Sequence, residues 1–461
     1  PGRTIAAEES SLSSKNETPG VVGQVKNALE FYVKIVLRVT LASWCIYLLL
    51  PRMDTRPLFD KSDQFHDLTN YIGKTAHLYH NAAGLGSGLP VFNYPPPAAF
   101  LWKILLHSLP SHPVGLYLVV VAVLTAALAV VGWRASGGQP EVRTAFRIAI
   151  VTTATVGYPL LFAMDRANLE GLVWAITGIG LCFLLRQRYS AAAMWIGLSA
   201  SIKPFAILFI LILLGRRKYK EAALGVATAG LIVLAAFVAI GPNPWTAYQQ
   251  LKPGLAYYYE HYAAAFMPPG EARFAHSILD GMKSMALTAR ALARPSAPAE
   301  MRAVHPTPAV SEMMRLRAKP GGWHVAQDLA RIYPYIALAV LAGILWRAYR
   351  LPILNQVTAL AIAATLLPPV SGDYTLLQLY VPFGALAVFL TREVSEGQSF
   401  FPRKSMMALA AVYGLLFAPL TFLRIYSGDA KLVLLIALLI IVLRSPMKSR
   451  YFDPDMNEVA A

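Results

Sequence analysis

A train of apolar blocks, each about long enough to cross a bilayer and most closed by arginine or lysine, constrains this chain more than any other feature. A spanning helix needs about 20 apolar residues. Phe31 to Leu50 is the first block, entered from a side bearing Lys15, Lys26 and Lys34. Pro113 to Val131 ends at Arg134, Phe146 to Met164 follows a linker carrying Arg143, and Leu172 to Leu185 ends at Arg186 and Arg188. Ala222 to Ile240, Ile332 to Leu345, Ile353 to Leu367, Leu376 to Leu390, Met406 to Leu423 and Leu432 to Leu443 continue the series. Ala191 to Leu214 has cations at both ends yet is too short for two full crossings, so Lys203-Pro204 is expected to divide it into a hairpin of two short helices. Lys203 then sits at the outer tip, with the proline starting the second helix. The fold class is therefore all-α: a multispan integral membrane protein with about twelve spans and both termini on the cationic, cytoplasmic side.

Composition agrees. Only 14% of the 461 residues are charged and 56% are hydrophobic, whereas a soluble domain carries about 25% charged residues. The net charge of +16 does not point to nucleic acid, because the cations fall in short clusters between spans, as positive-inside loops do. Cys45 and Cys182 both lie within expected spans, which gives neither a disulfide framework nor a cysteine metal site. Residues 1–28 are expected to be a disordered cytoplasmic tail and 447–461 a cytoplasmic tail. Between them come a membrane module over 29–241, whose first outer loop is 51–112, a long outer loop over 242–331, and C-terminal spans over 332–446.

The most chemically loaded interval is Phe59 to Pro97, which packs Asp60, Asp63, Asp67, His66, His77 and His80 between apolar blocks. Carboxylates beside a bilayer lose solvation and tend to be placed for function. Gln64 to Tyr79 repeats apolar positions at helical spacing, as a surface helix would, with Asp67 near its start. Ala98 to Leu109 is too short to cross and reads as a second interfacial helix. Under this topology the polar outliers share the outer side. They are the first-loop aspartates and His66, then Asp165, Arg166, Asn168 and Glu170, then Lys203, then Glu260, His261 and His276, then Asp373 and Tyr374. Acid, base and cation at one membrane face point to group transfer onto a substrate presented from the bilayer. A transporter is the rival class, and it would show inverted repeats and ionisable residues near mid-membrane.

The order of these pieces resembles the GT-C glycosyltransferases that use polyprenyl-phosphate sugars. It is most similar to the bacterial polyprenyl-phosphate-mannose-dependent alpha-mannosyltransferases, the family of the mycobacterial phosphatidylinositol-mannoside enzyme. The resemblance runs over most of Phe31 to Leu390. It is carried by Asp67-Leu68-Thr69-Asn70-Tyr71, Phe92-Asn93-Tyr94-Pro95-Pro96, Arg166-Ala167-Asn168, Ile202-Lys203-Pro204 and Ala275-His276-Ser277-Ile278. Relatives often carry Asn-Gln-Ser where this chain has Ala275-His276-Ser277. The resemblance implies an inverting enzyme of a bacterial plasma membrane, with its active site on the extracytoplasmic side. It implies a polyprenyl-phosphate hexose donor, mannose or else a sugar such as arabinofuranose, a glycolipid or glycan acceptor, and membrane lipids as surroundings.

Such chemistry needs a base for the acceptor hydroxyl and cations for the departing phosphate. Asp67 is the expected base, the alternatives being a helix cap or Asp60 or Asp63 as the base. Arg166 and Lys203 are the expected phosphate ligands, a planar fork and a compact charge. Their bland alternatives are a local Arg166–Glu170 ion pair and, for Lys203, snorkelling or pairing with Asp165 or Glu170. Asn168, His276, Tyr71, Tyr94, Glu260 and His261 are expected substrate contacts. Tyr257, Tyr258 and Tyr259 fit sugar stacking and an interfacial belt equally well. No cofactor is expected. His77 and His80 lack an evident third ligand for a metal, and Asp60 and Asp63 would suit only a hard divalent cation.

Overall fold

The computed structural model describes residues 19–49, 58, 65, 67–68, 94–108, 112–135, 157–240, 243–266, 274–293, 316, 324–395, 403–423, 426–448 and 452. Outside them fall Tyr71, Asp60, Asp63, His66, His77 and His80, most of the expected Gln64–Tyr79 helix, and the first part of the Phe146–Met164 block. Among the described residues every regular element is helical.

The chain begins with α1 (Pro19–Leu49), α2 (Pro96–Ser108) and α3 (Pro113–Ala135). Helix α1 therefore starts inside the segment expected to be a disordered tail. Helices α4 (Tyr158–Arg166), α5 (Glu170–Leu185) and α6 (Tyr189–Ile202) follow, then a 3-10 segment (Pro204–Phe209), α7 (Ile210–Gly215) and α8 (Tyr219–Ile240). The long outer interval holds α9 (Pro244–Tyr258), a π-helical turn (Tyr259–Ala263) and α10 (Ile278–Leu292). The chain ends in α11 (His324–Ala348), α12 (Ile353–Leu366), a 3-10 segment (Asp373–Leu379), α13 (Tyr380–Ser395), α14 (Arg403–Leu416) and α15 (Tyr426–Arg444). Helix α11 begins before the expected Ile332, and the opening of the expected Leu376–Leu390 span, through Leu379, is 3-10 rather than α.

Helices α3, α8, α11 and α15 are long and apolar enough to cross a membrane, and six further described helices are apolar but shorter. All of α12 and nearly all of α5 are buried. Helices apolar on every side belong at the centre of a bundle, and these two supply much of the main core with Phe383, Tyr413 and Phe417. Helix α8 instead exposes Val226, Leu231, Leu234 and Val238, an apolar surface suited to lipid rather than water. The apolar helices and the outward apolar faces make this an integral membrane protein.

Small residues set the tightest packing. A Cβ on Gly197 of α6 would collide with the Gly225 carbonyl oxygen of α8, and one on Gly180 of α5 would lie 3.0 Å from an Ile196 side-chain carbon. Close backbone approach of this kind is the usual device between helices in lipid. Thr177 and Ser199 satisfy each other across the α5–α6 contact at 2.6 Å. The Lys203 hairpin forms as expected: Ile210 Cδ1 and the Ala193 carbonyl oxygen, on opposite sides of the tip, both lie against Gly225.

Cationic helix ends gather away from the polar turns. Arg186 donates to the Arg134 carbonyl at 2.9 Å, and Arg347 to the Leu443 carbonyl at 3.0 Å. Helix α5 runs from the polar end, at Glu170, to this cationic end, and α6 returns to Lys203.

Candidate active site

The site is built on the turn between α4 and α5. Asn168 N–H bonds to Ala163 O at 2.9 Å and Ala167 N–H to Met164 O at 3.0 Å. These two bonds close the helix in a Schellman turn, which requires a left-handed residue. Ala167 fills that position at φ 50°, where a glycine would be relaxed and a Cβ costs about 1–2 kcal/mol. The strain aims Asn168 across the break instead of along the helix. Tyr117 of α3 then locks the turn by donating to Asn168 O at 2.6 Å.

Five side chains meet there. Asn168 Nδ2 donates to Asp67 Oδ2 at 2.7 Å. Asn168 Oδ1 accepts from the Glu170 N–H at 2.9 Å and from Lys203 Nζ at 3.3 Å. Lys203 Nζ also donates to Glu170 Oε2 at 2.7 Å, and Gln378 Nε2 donates to Glu170 Oε1 at 2.7 Å. The Lys203 ammonium lies 5.0 Å from the centroid of the Tyr374 ring. The first loop is pinned to the same turn by Phe65 N–H, which donates to Asp165 O at 2.6 Å. Lys203 has an extended backbone that ends α6 and begins the 3-10 segment, so the break itself delivers the ammonium. A carboxylate from the opening loop and the cation of a distant hairpin are thus one amide apart.

The expected residues divide. Asp67, Asn168 and Lys203 come together. Arg166 is on the same turn, with its guanidinium carbon 5.5 Å from the Phe162 ring centroid. Tyr94 packs at the edge of the cluster formed by Leu68, Trp102, Tyr117, Ala167 and Leu169. Lys203 takes the pairing with Glu170 that stood as its alternative, and Glu170, with both carboxylate oxygens engaged, is a member of the site. His276 is fully buried between Thr375 Oγ1 and Ser371 Oγ, both 3.2 Å from its Nε2. Its Nδ1 lies 3.7 Å from Asp373 Oδ1, while Lys431 Nζ reaches Asp373 Oδ2 at 2.6 Å. Glu260 and His261 are exposed on the π turn, where His261 stacks on Tyr257 at 3.8 Å. No described contact joins either to Asp67 or Lys203.

The second buried array continues into the outer interval. Ser277 caps α10 by accepting from Asp280 N–H at 3.0 Å and donates to Asp280 Oδ2 at 2.6 Å. Burial raises the Asp280 carboxyl above its ordinary range despite the pull of Lys283 and the Ser277 hydroxyl. Burial likewise lowers Lys283, which Asp280 opposes.

Gln378 and Lys431 escaped the sequence reading. Gln378 stands inside an apolar block with nothing to separate it from packing. Lys431 carries the signal that exposed Lys203, a lone ammonium at the head of an apolar block. Among the described residues no group of three or more His, Cys, Asp or Glu is placed to hold a metal ion.

A bundle of apolar helices with an acid, an amide and a paired lysine at one end is the form of a membrane-embedded transferase. The profile of glycosyltransferase family 87 matches residues 92–372, more than half of the chain, and the protein belongs to that family. Asn168, Glu170, Lys203 and His276 lie within the match; Asp67, Gln378 and Lys431 lie outside it. A comparison with curated proteins finds no match.

Proposed function

We propose that this protein is an inverting glycosyltransferase with a polyprenyl-phosphate sugar donor, mannose first among sugars, and a glycolipid or lipid-linked glycan acceptor. The reaction is placed at the outer face of a bacterial plasma membrane, with about twelve spans carrying the site. One observation carries the reading: Asp67 and Lys203 are held by the two ends of a single amide, that of Asn168.

In the reaction the acceptor hydroxyl oxygen bonds to the anomeric carbon as its proton passes to Asp67. The bond from that carbon to the phosphate oxygen breaks, and polyprenyl phosphate leaves with the electron pair. One displacement inverts the centre, so a beta-linked donor gives an alpha product. Phosphate is already a good leaving group, so the protein's task at that oxygen is charge stabilisation. Lys203 is placed for it, and Arg166 stands on the same turn. Glu170 holds Lys203 in a defined position, and an arriving phosphate competes with that carboxylate for the ammonium. Tyr94 and Arg166 are the remaining substrate contacts the geometry favours. Glu260 and His261, on the surface of the outer interval, suit the acceptor side.

The test is transfer by purified protein in lipid vesicles, offered radiolabelled polyprenyl-phosphate mannose, polyprenyl-phosphate arabinofuranose or a nucleotide sugar with a membrane glycolipid fraction. The mannosyl donor is expected to lose label to the glycolipid as polyprenyl phosphate appears. Turnover of the nucleotide sugar alone, or passage of intact donor across the vesicle wall, would overturn the proposal.

A further inference from the structure

We infer that Asn168 is a positioning residue for Asp67, its amide polarity set by the Lys203–Glu170 pair, rather than a ligand of the substrate. Every polar atom of Asn168 is engaged inside the protein. Its backbone N–H goes to Ala163 O, and its carbonyl accepts from Tyr117 Oη and from the Gly171 N–H. Its side-chain oxygen accepts from two donors, the Glu170 N–H and the Lys203 ammonium. An amide with two donors on one terminus must present its nitrogen at the other. The group that faces Asp67 is therefore an N–H donor, and Asp67 accepts it as a carboxylate.

Two consequences follow for the base. A hydrogen bond donated to the charged form favours that form, and the bond fixes one carboxylate oxygen in direction. The polarity also runs through the chain of contacts: Gln378 to Glu170, Lys203 to Glu170 and Asn168, Asn168 to Asp67. Charge on Lys203 polarises the amide toward stronger donation, as hydrogen bonds in series do in a low-dielectric site. The charged and titratable groups on the described elements around Asp67 are Asp165, Arg166, Glu170, Lys203 and the Tyr117 hydroxyl.

The effect on transfer rests on Asp67 being the base, so the hold on the carboxylate is measured apart from transfer. Carbodiimide modifies protonated carboxyls, and the fraction of Asp67 labelled at each pH is read by peptide mass spectrometry on the full-length protein in vesicles. Asn168→Ala is expected to move the pH of half-labelling up by about one unit. Asn168→Asp keeps an oxygen for Glu170 N–H and Lys203 but sets a second carboxylate against Asp67. Its midpoint is expected to move further, because two facing carboxyls share a proton, and this variant serves where the alanine protein does not fold. In transfer, either variant is expected to lower kcat with the donor KM held. Unchanged labelling midpoints in a folded variant overturn the inference, as does a raised donor KM at unchanged kcat, the mark of a substrate ligand. Normal transfer by Asp67→Asn alongside shifted labelling midpoints would sink the proposed base while leaving the role of Asn168 intact.

Discussion

Removing the Lys431 ammonium while leaving Asp373 in place is the sharpest perturbation of the bundle's second buried array. Both side chains are fully buried, with Nζ 2.6 Å from Oδ2. At that separation the attraction between opposite charges carries the contact. Lys431 also sits 5.0 Å from the Tyr158 ring centroid, and His276 lies beside the other carboxylate oxygen. Lys431→Met strands a carboxylate in the protein interior, which costs about 3–5 kcal/mol. Folded proteins hold about 5–15 kcal/mol in all, so a large share of the margin goes. Asp373→Asn strands the lysine with a similar loss. The double variant Asp373→Asn/Lys431→Met carries neither stranded charge, and neutral replacement of a buried pair is often close to neutral. With single losses of about 3–5 kcal/mol each and a double variant near neutral, the coupling between the two sites is therefore expected at about 6–10 kcal/mol, above the usual range of about 0.5–3 kcal/mol. Denaturant-induced unfolding of the four proteins in detergent, followed by tryptophan fluorescence, measures it. Single variants that each lose less than about 1 kcal/mol, or a double variant that loses the sum of the two, would refute the reasoning.

Three further expectations can be checked on the same preparations. Gly197→Ala places a methyl against the Gly225 carbonyl and is expected to destabilise the α6–α8 contact, whereas Gly230→Ala, with open space at its Cβ, should be neutral or gain up to about 1 kcal/mol; equal melting temperatures for the two would contradict this. Asp280 is raised above 3.8 in the fold, so its contribution to stability is full below that value and is lost as pH rises through the folded value; Asp280→Asn should flatten that fall in pH-dependent unfolding, and an unchanged slope counts against it. Cysteine placed at Asp165 or Lys203 in a protein with Cys45 and Cys182 replaced should react with an impermeant maleimide from the outer side only; labelling from the cytoplasmic side reverses the topology.

The alternation of apolar block and cation was legible because it is a property of composition along the chain. It located α3, α5, α6, α8 and α12 within a few residues, and the lone Lys203-Pro204 in an apolar block marked the hairpin. Helix ends were less legible where tertiary contacts override local pattern. Helix α1 starts before its apolar stretch, α11 extends into the polar outer interval, and the 3-10 geometry of Asp373–Leu379 has no periodic signature. The site was half legible. Asp67, Asn168 and Lys203 stood out by type and place. Whether Lys203 met Glu170 or a ligand depended on how α5 and α6 pack, which no spacing in one dimension contains. The burial of His276 was hidden for the same reason, since a histidine in a polar loop and one folded into a buried array read identically. The left-handed Ala167 had no signal at all, since glycine is the residue that position ordinarily announces.

In the proposed reaction a carboxylate of the first outer loop takes a proton beside a cation delivered by a later turn. Donor binding and label transfer, measured together on wild type and Asp67→Asn with radiolabelled polyprenyl-phosphate mannose, test it most directly. The variant is expected to bind donor as wild type does and to transfer about 10²–10⁴-fold more slowly. Transfer at the wild-type rate by Asp67→Asn would contradict it.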